Sequence, residues 1–157
     1  MQLRNGSSRS VLLIGPWVVK FPRLNFFWEV ISDLIHHDGV GILIDPIREN
    51  WDEYLTWRRF KSDYLAPVYF SIGLVNLQKR IDGPTPTQEE LTMIWRELVF
   101  RTGGDISKTN LHNLLDVENF RRTEKGLVWI DYGSWEKMPM RKFLLTWDNL
   151  FKKLLLN

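Results

Sequence analysis

Val11-Leu12-Leu13-Ile14-Gly15-Pro16-Trp17-Val18-Val19-Lys20-Phe21 reads as two short strands, 11–14 and 17–21, folded back on each other at Gly15-Pro16. That dipeptide marks a turn, and the flanking residues are β-formers, so the stretch predicts a hairpin with an apolar face. Its apolar part, 11–19, is interrupted by Gly-Pro and falls well short of the roughly 20 residues a membrane helix needs. Downstream, Phe27, Val30, Ile31, Leu34 and Ile35 recur at three- and four-residue spacing, which predicts an amphipathic helix over 24–37 that ends before Asp38-Gly39. Asp45-Pro46 then has the form of an N-cap with proline at the first helical position. Ile47, Trp51, Tyr54, Leu55 and Arg58 continue as a second helix to about Phe60. The β-forming runs 66–71 and 73–78 predict a second hairpin turning at Ile72-Gly73. After the loop 82–87, Thr87 and Glu90 stand at capping-box spacing before Leu91, Ile94, Trp95, Leu98 and Val99, a helix closed by Gly103-Gly104. The runs 111–115 and 127–130 read as strands around a polar loop, 116–126, and 141–156 reads as a last helix. This order predicts an α+β protein with a sheet-based front half and a helical back half.

The composition fits a single globular domain: 157 residues, 44% hydrophobic and 25% charged. With no cysteine there is no disulfide framework, thiolate nucleophile or cysteine zinc site. The histidines, His36, His37 and His112, are too few for most all-His metal centres. A polar N-terminus without a small-residue cleavage pattern predicts no signal peptide and a cytoplasmic location. The 21 basic residues are spread among 19 acidic ones, which argues against a nucleic-acid partner. No Gly-x-Ser-x-Gly, Walker or His-Glu-x-x-His pattern occurs, so hydrolase, P-loop and zinc-protease readings lack support. Eight tryptophans supply core volume, with Trp28, Trp135 and Trp147 as candidates for a partner-facing patch. The apolar stripe of the last helix, from Phe143 to Leu155, suits docking on the domain or an oligomer contact.

Four polar features stand at strand ends or after turns. Lys20 ends the first hairpin; alone, such a lysine is usually solvated. Glu53 lies in Asn50-x-x-Glu53-x-x-x-Trp57, with Glu49 one turn earlier on the same helix face, so either carboxylate suits a pairing role. A strand lysine held by a helix carboxylate aims its ammonium at phosphate oxygens. Gly104-Asp105-Ile106-Ser107-Lys108-Thr109-Asn110 sets an Asp and an Asn five apart after a helix-ending glycine pair, and Val128-Trp129-Ile130-Asp131-Tyr132-Gly133 delivers a carboxylate from an apolar strand to a turn.

In that order (strand Lys, helix Glu, Asp-x-x-x-x-Asn, strand-Asp-x-Gly) the chain resembles the protein-kinase-like fold. More narrowly, 18–23, 50–57, 65–68 and 129–133 look like the short kinase-like proteins of bacteria and their phages. The resemblance implies a minimal kinase-like fold: a small antiparallel sheet with a helix over about 1–80, and a truncated, mainly helical C-terminal half over about 81–157. It implies ATP and Mg²⁺ as cofactors. Lys20 would contact the α- and β-phosphates and be held by Glu53, and Asn110 and Asp131 would hold Mg²⁺. Asp105 would orient or deprotonate the acceptor hydroxyl. Gly6, Ser7 and Ser8 stand where the family carries its phosphate loop, and 74–80 where the strand leads to the adenine hinge. Asn113 is an alternative to Asn110, but the spacing from Asp105 favours Asn110. The implied activity is phosphoryl transfer from ATP to a hydroxyl of a protein or small molecule. The phosphate loop has one glycine, Gly103-Gly104 stands where the family braces its aspartate with His-Arg or His-Gly, and 24 residues follow Gly133. Those departures imply a second reading, a catalytically degenerate binding module or inhibitor acting on a protein partner.

Overall fold

A computed structural model describes residues 1–6, 9–23, 40–101, 116–133 and 144. The predicted helices over 24–37 and 141–156 and the strand over 111–115 lie outside these residues, save Leu144, which is buried. The chain forms two compact units, Met1–Arg59 with Pro67–Arg80, and Phe60–Ala66 with Ile81–Asn157. Among the described residues the fold is α+β, and no helix is long and apolar enough to cross a membrane.

The first unit holds a five-stranded antiparallel sheet in the order β1-β2-β3-β5-β4. Its strands are β1 (Gln2–Asn5), β2 (Arg9–Ile14), β3 (Trp17–Pro22), β4 (Val68–Ser71) and β5 (Asn76–Lys79). The two-residue turn at Gly15-Pro16, with Gly15 at φ 52°, pairs Ile14 with Trp17 and so fixes every later pair, Val11 with Lys20 among them. β1 has no counterpart in the sequence expectations. Its four residues are exposed and polar apart from Leu3, and pairing with β2 carries the sheet outward past the Gly6 turn. The second hairpin forms as expected but turns over four residues, with Ile72 N–H donating to the Val75 carbonyl and Gly73 at φ 77°.

Helix α1 spans Val40–Phe60 and closes at Lys61, in left-handed conformation at φ 44°. The expected start at Asp45-Pro46 is not where the helix begins; Pro46 lies inside it, where it forgoes one backbone hydrogen bond. The burial of α1 also departs from its apolar stripe. Trp51 and Leu55 are exposed, whereas Asn50 and Glu53 have no accessible surface.

The second unit holds helix α2 (Gln88–Arg101) and the hairpin β6 (Phe120–Thr123) and β7 (Gly126–Trp129). The capping box forms as its spacing predicts: Thr87 N–H donates to the Glu90 carboxylate and Glu90 N–H to the Thr87 hydroxyl. That backbone bond, and Arg122 beside it, hold the Glu90 carboxyl below its ordinary range. The apolar face of α2, Leu91, Ile94 and Leu98, is buried. Trp129 stacks on Phe120 at 5.5 Å between ring centroids and lies 6.1 Å from Tyr132. The main chain of Leu65-Ala66 joins this core, with Trp129 N–H donating to the Tyr64 carbonyl and Ala66 N–H to that of Trp129.

Two expectations are corrected here. The stretch 116–126 is no polar loop: after a 3₁₀ turn at Val117–Asn119 it forms β6, because buried Phe120 anchors the strand despite its charged neighbours. Arg121 and Arg122 are therefore strand residues, paired with Glu118 and Glu90. The mainly helical C-terminal half is likewise not borne out, since its described residues comprise a hairpin and a 3₁₀ turn as well as α2.

Gly83 shows how closely this unit is drawn together. Its φ is 148°, and a Cβ there would meet the Arg122 carbonyl oxygen at 2.0 Å. Gly83→Ala is expected to cost about 1–3 kcal/mol through backbone strain, read as a lower urea midpoint. An unchanged midpoint would mean that the loop relaxes away from β6.

Candidate functional site

The register of the sheet sets Lys20, Asn76 and Ser71 directly opposite one another across β3, β5 and β4. Arg9, two residues before the Val11 partner of Lys20, shares their face. Such a row is ordinarily apolar on a buried face. Here Lys20, Asn76, Ser71 and Arg9 are all buried, and α1 meets them with Glu49, Asn50 and Glu53.

Glu53 is the centre of this network. Its Oε1 accepts from Lys20 Nζ at 2.7 Å and from Arg9 Nη2 at 3.1 Å, and its Oε2 accepts from Asn76 Nδ2 at 2.7 Å. Arg9 spreads its fork over one turn of the helix, with Nε to Glu49 at 3.1 Å, Nη1 to Asn50 Oδ1 at 3.0 Å and Nη2 to Glu53. Asn50 passes the restraint on, donating to the Gly73 carbonyl at 2.6 Å. Two cations and two carboxylates therefore balance, as burial of charge demands. Asn76 Oδ1 is buried and accepts no hydrogen bond from the described residues. On the same helix, burial pushes the Asp52 carboxyl up from its usual range, against the pull of Arg48.

Of the residues singled out from sequence, the structure brings Lys20 and Glu53 together and gives Glu49 to Arg9 instead. Gly6 lies in the β1–β2 connection, where its N–H donates to the Arg9 carbonyl at 2.8 Å. Asp131 follows β7 in the second unit, beside buried Tyr132, whose hydroxyl donates to the Ala66 carbonyl at 2.6 Å. Ser7, Ser8, Asp105 and Asn110, with the alternative Asn113, lie outside the described residues.

Arg9, Asn50 and Asn76 were not singled out from the sequence as members of the site. Arg9 is hidden in a Ser-rich turn segment, and its partners lie on a distant helix. The usable signal was the Asn50-x-x-Glu53 pattern, which places both polar side chains on one face. Comparison with known families, with curated proteins and with solved structures finds no match to this chain.

Proposed function

We propose that the protein binds ATP with Mg²⁺ and acts as a minimal kinase-like phosphotransferase on a hydroxyl of a protein or small-molecule acceptor. The observation that carries this reading is the buried pair between Lys20, on the third strand, and Glu53, on the helix that follows, since a strand lysine held by a helix glutamate is how kinases position an ammonium against phosphate. Burying three charged groups, Arg9, Lys20 and Glu53, is expensive, and an apolar row of the same volume would serve stability as well or better. A sheet that keeps the charges is better explained by work done on a ligand.

The donor set suits the nucleotide. An ammonium complements phosphate oxygens, and a carboxylate after a strand, Asp131, suits a hard cation that takes its remaining ligands from phosphates and water. Mg²⁺ would neutralise charge developing on the transferred group. Lys20 would orient the phosphates, Asn110 and Asp131 would hold the cation, Asp105 would receive the acceptor proton, and Gly6, Ser7 and Ser8 would form the phosphate loop, in which the N–H groups of Ser7 and Ser8 would meet phosphate while that of Gly6 donates to the Arg9 carbonyl.

Saturating ATP with Mg²⁺ is expected to stabilise the wild type by about 2.7 kcal/mol at 100 times Kd, read as a rise in Tm. Lys20→Ala and Asp131→Asn are expected to abolish the rise. Equal shifts in all three proteins would reject the reading. The second reading, a binding module without transfer, is favoured by the single-glycine loop. Label transferred from γ-labelled ATP to a lysate substrate, and lost in Asp105→Ala, would exclude it.

A further inference from the structure

We propose that Arg9 is the positioning residue of this site: its guanidinium holds the Glu53 carboxylate and α1 on the sheet independently of Lys20, so that the Lys20–Glu53 pair is assembled before any ligand arrives. The inference rests on the nucleotide reading only for what the positioning is for.

Glu53 receives donors from three strands, Arg9 of β2, Lys20 of β3 and Asn76 of β5. Removing Lys20 leaves the carboxylate with a cation and an amide still in contact. Arg9 is not replaceable in this way. Its planar fork reaches Glu49, Asn50 and Glu53, three positions on one turn of α1, at 3.0–3.1 Å. A lysine keeps the charge but has no fork with which to bridge them. Asn50 and its bond to the Gly73 carbonyl extend the clamp to the β4–β5 turn. Arg9 also closes the Gly6 turn through its own carbonyl. One residue therefore ties the first turn of the sheet to the helix that carries Glu53.

The test uses the full-length chain and the variants Arg9→Lys, Lys20→Met and Arg9→Lys/Lys20→Met, with Glu49→Gln as a milder lesion should Arg9→Lys fold poorly. In ligand-free protein, amide hydrogen exchange over residues 49–53 is expected to rise about tenfold in Arg9→Lys and less than about twofold in Lys20→Met, with Glu49→Gln between them. Exchange that rises as much in Lys20→Met as in the Arg9 and Glu49 variants would overturn the proposal, as would no rise in either of these two. With Mg²⁺ present, Arg9→Lys is expected to weaken ATP binding about tenfold, and the double variant to bind no worse than Lys20→Met alone. Additive losses would mean that Arg9 acts on binding independently of the Lys20–Glu53 pair, and no loss in Arg9→Lys that it serves stability only; either would overturn its positioning role. If the wild type fails to bind ATP with Mg²⁺, the nucleotide reading falls by itself, and the exchange arm still decides whether Arg9 holds Glu53.

Discussion

Glu53→Ala is expected to be among the most damaging single substitutions in the first unit, lowering stability by about 3–5 kcal/mol and Tm by at least about 10 °C. The reason is the number of groups the carboxylate satisfies. Without it Lys20 loses its ion pair at 2.7 Å, Arg9 loses its contact at 3.1 Å, and the Asn76 amide loses its bond at 2.7 Å, and all three donors are buried. An uncompensated buried charge costs more than the pair contributed, so the loss exceeds any estimate from a single contact. Lys20→Met in the Glu53→Ala background is expected to recover part of the loss, because it removes a buried cation that has lost its carboxylate at 2.7 Å. Thermal melts followed by circular dichroism measure both. A Glu53→Ala protein that melts with the wild type would show that these charges are solvated and that the network described here does not exist.

Trp129→Ala is expected to have an effect of similar size in the second unit, about 3–5 kcal/mol, for a purely apolar reason. The indole is 1% exposed, and its removal opens a cavity between Phe120 and Tyr132 that main chain on both sides holds open. Trp129→Phe keeps an aromatic partner for Phe120 and is expected to lose less than half as much. The urea midpoint is the measurement. Equal midpoints for the two variants would mean that a phenyl ring recovers neither the lost volume nor the stack on Phe120.

The elements legible in the sequence are those whose signals are local. Gly15-Pro16 between β-forming runs specified the β2–β3 hairpin, and Thr87 with Glu90 marked the start of α2. What was not legible depends on partners far along the chain. Gln2-Leu3-Arg4-Asn5 has no strand signature and becomes β1 because β2 offers it an edge. Phe120-Arg121-Arg122-Thr123 reads as a charged loop until Phe120 meets Trp129. Glu49 and Glu53 share a helix face, and only the placement of Arg9 and Lys20 separates their roles. Trp51 and Leu55 read as part of an apolar stripe, but the sheet opposite α1 is charged, so the helix turns its polar positions inward. Lys20 with Glu53 was the part of the candidate site that strand and helix order alone brought forward.

The membership of Phe60–Ala66 in the second unit has a consequence for biosynthesis. The chain visits that unit briefly, returns to complete the sheet with Pro67–Arg80, and leaves again, so a cleavage after Arg80 frees the first unit only with Phe60–Ala66 of the second attached. During translation Leu65 and Ala66, almost wholly covered in the finished protein, emerge long before the β7 residues that cover them. Nascent chains stalled ahead of Trp129 must therefore keep this apolar segment exposed, and they are the species a ribosome-associated chaperone would be expected to hold.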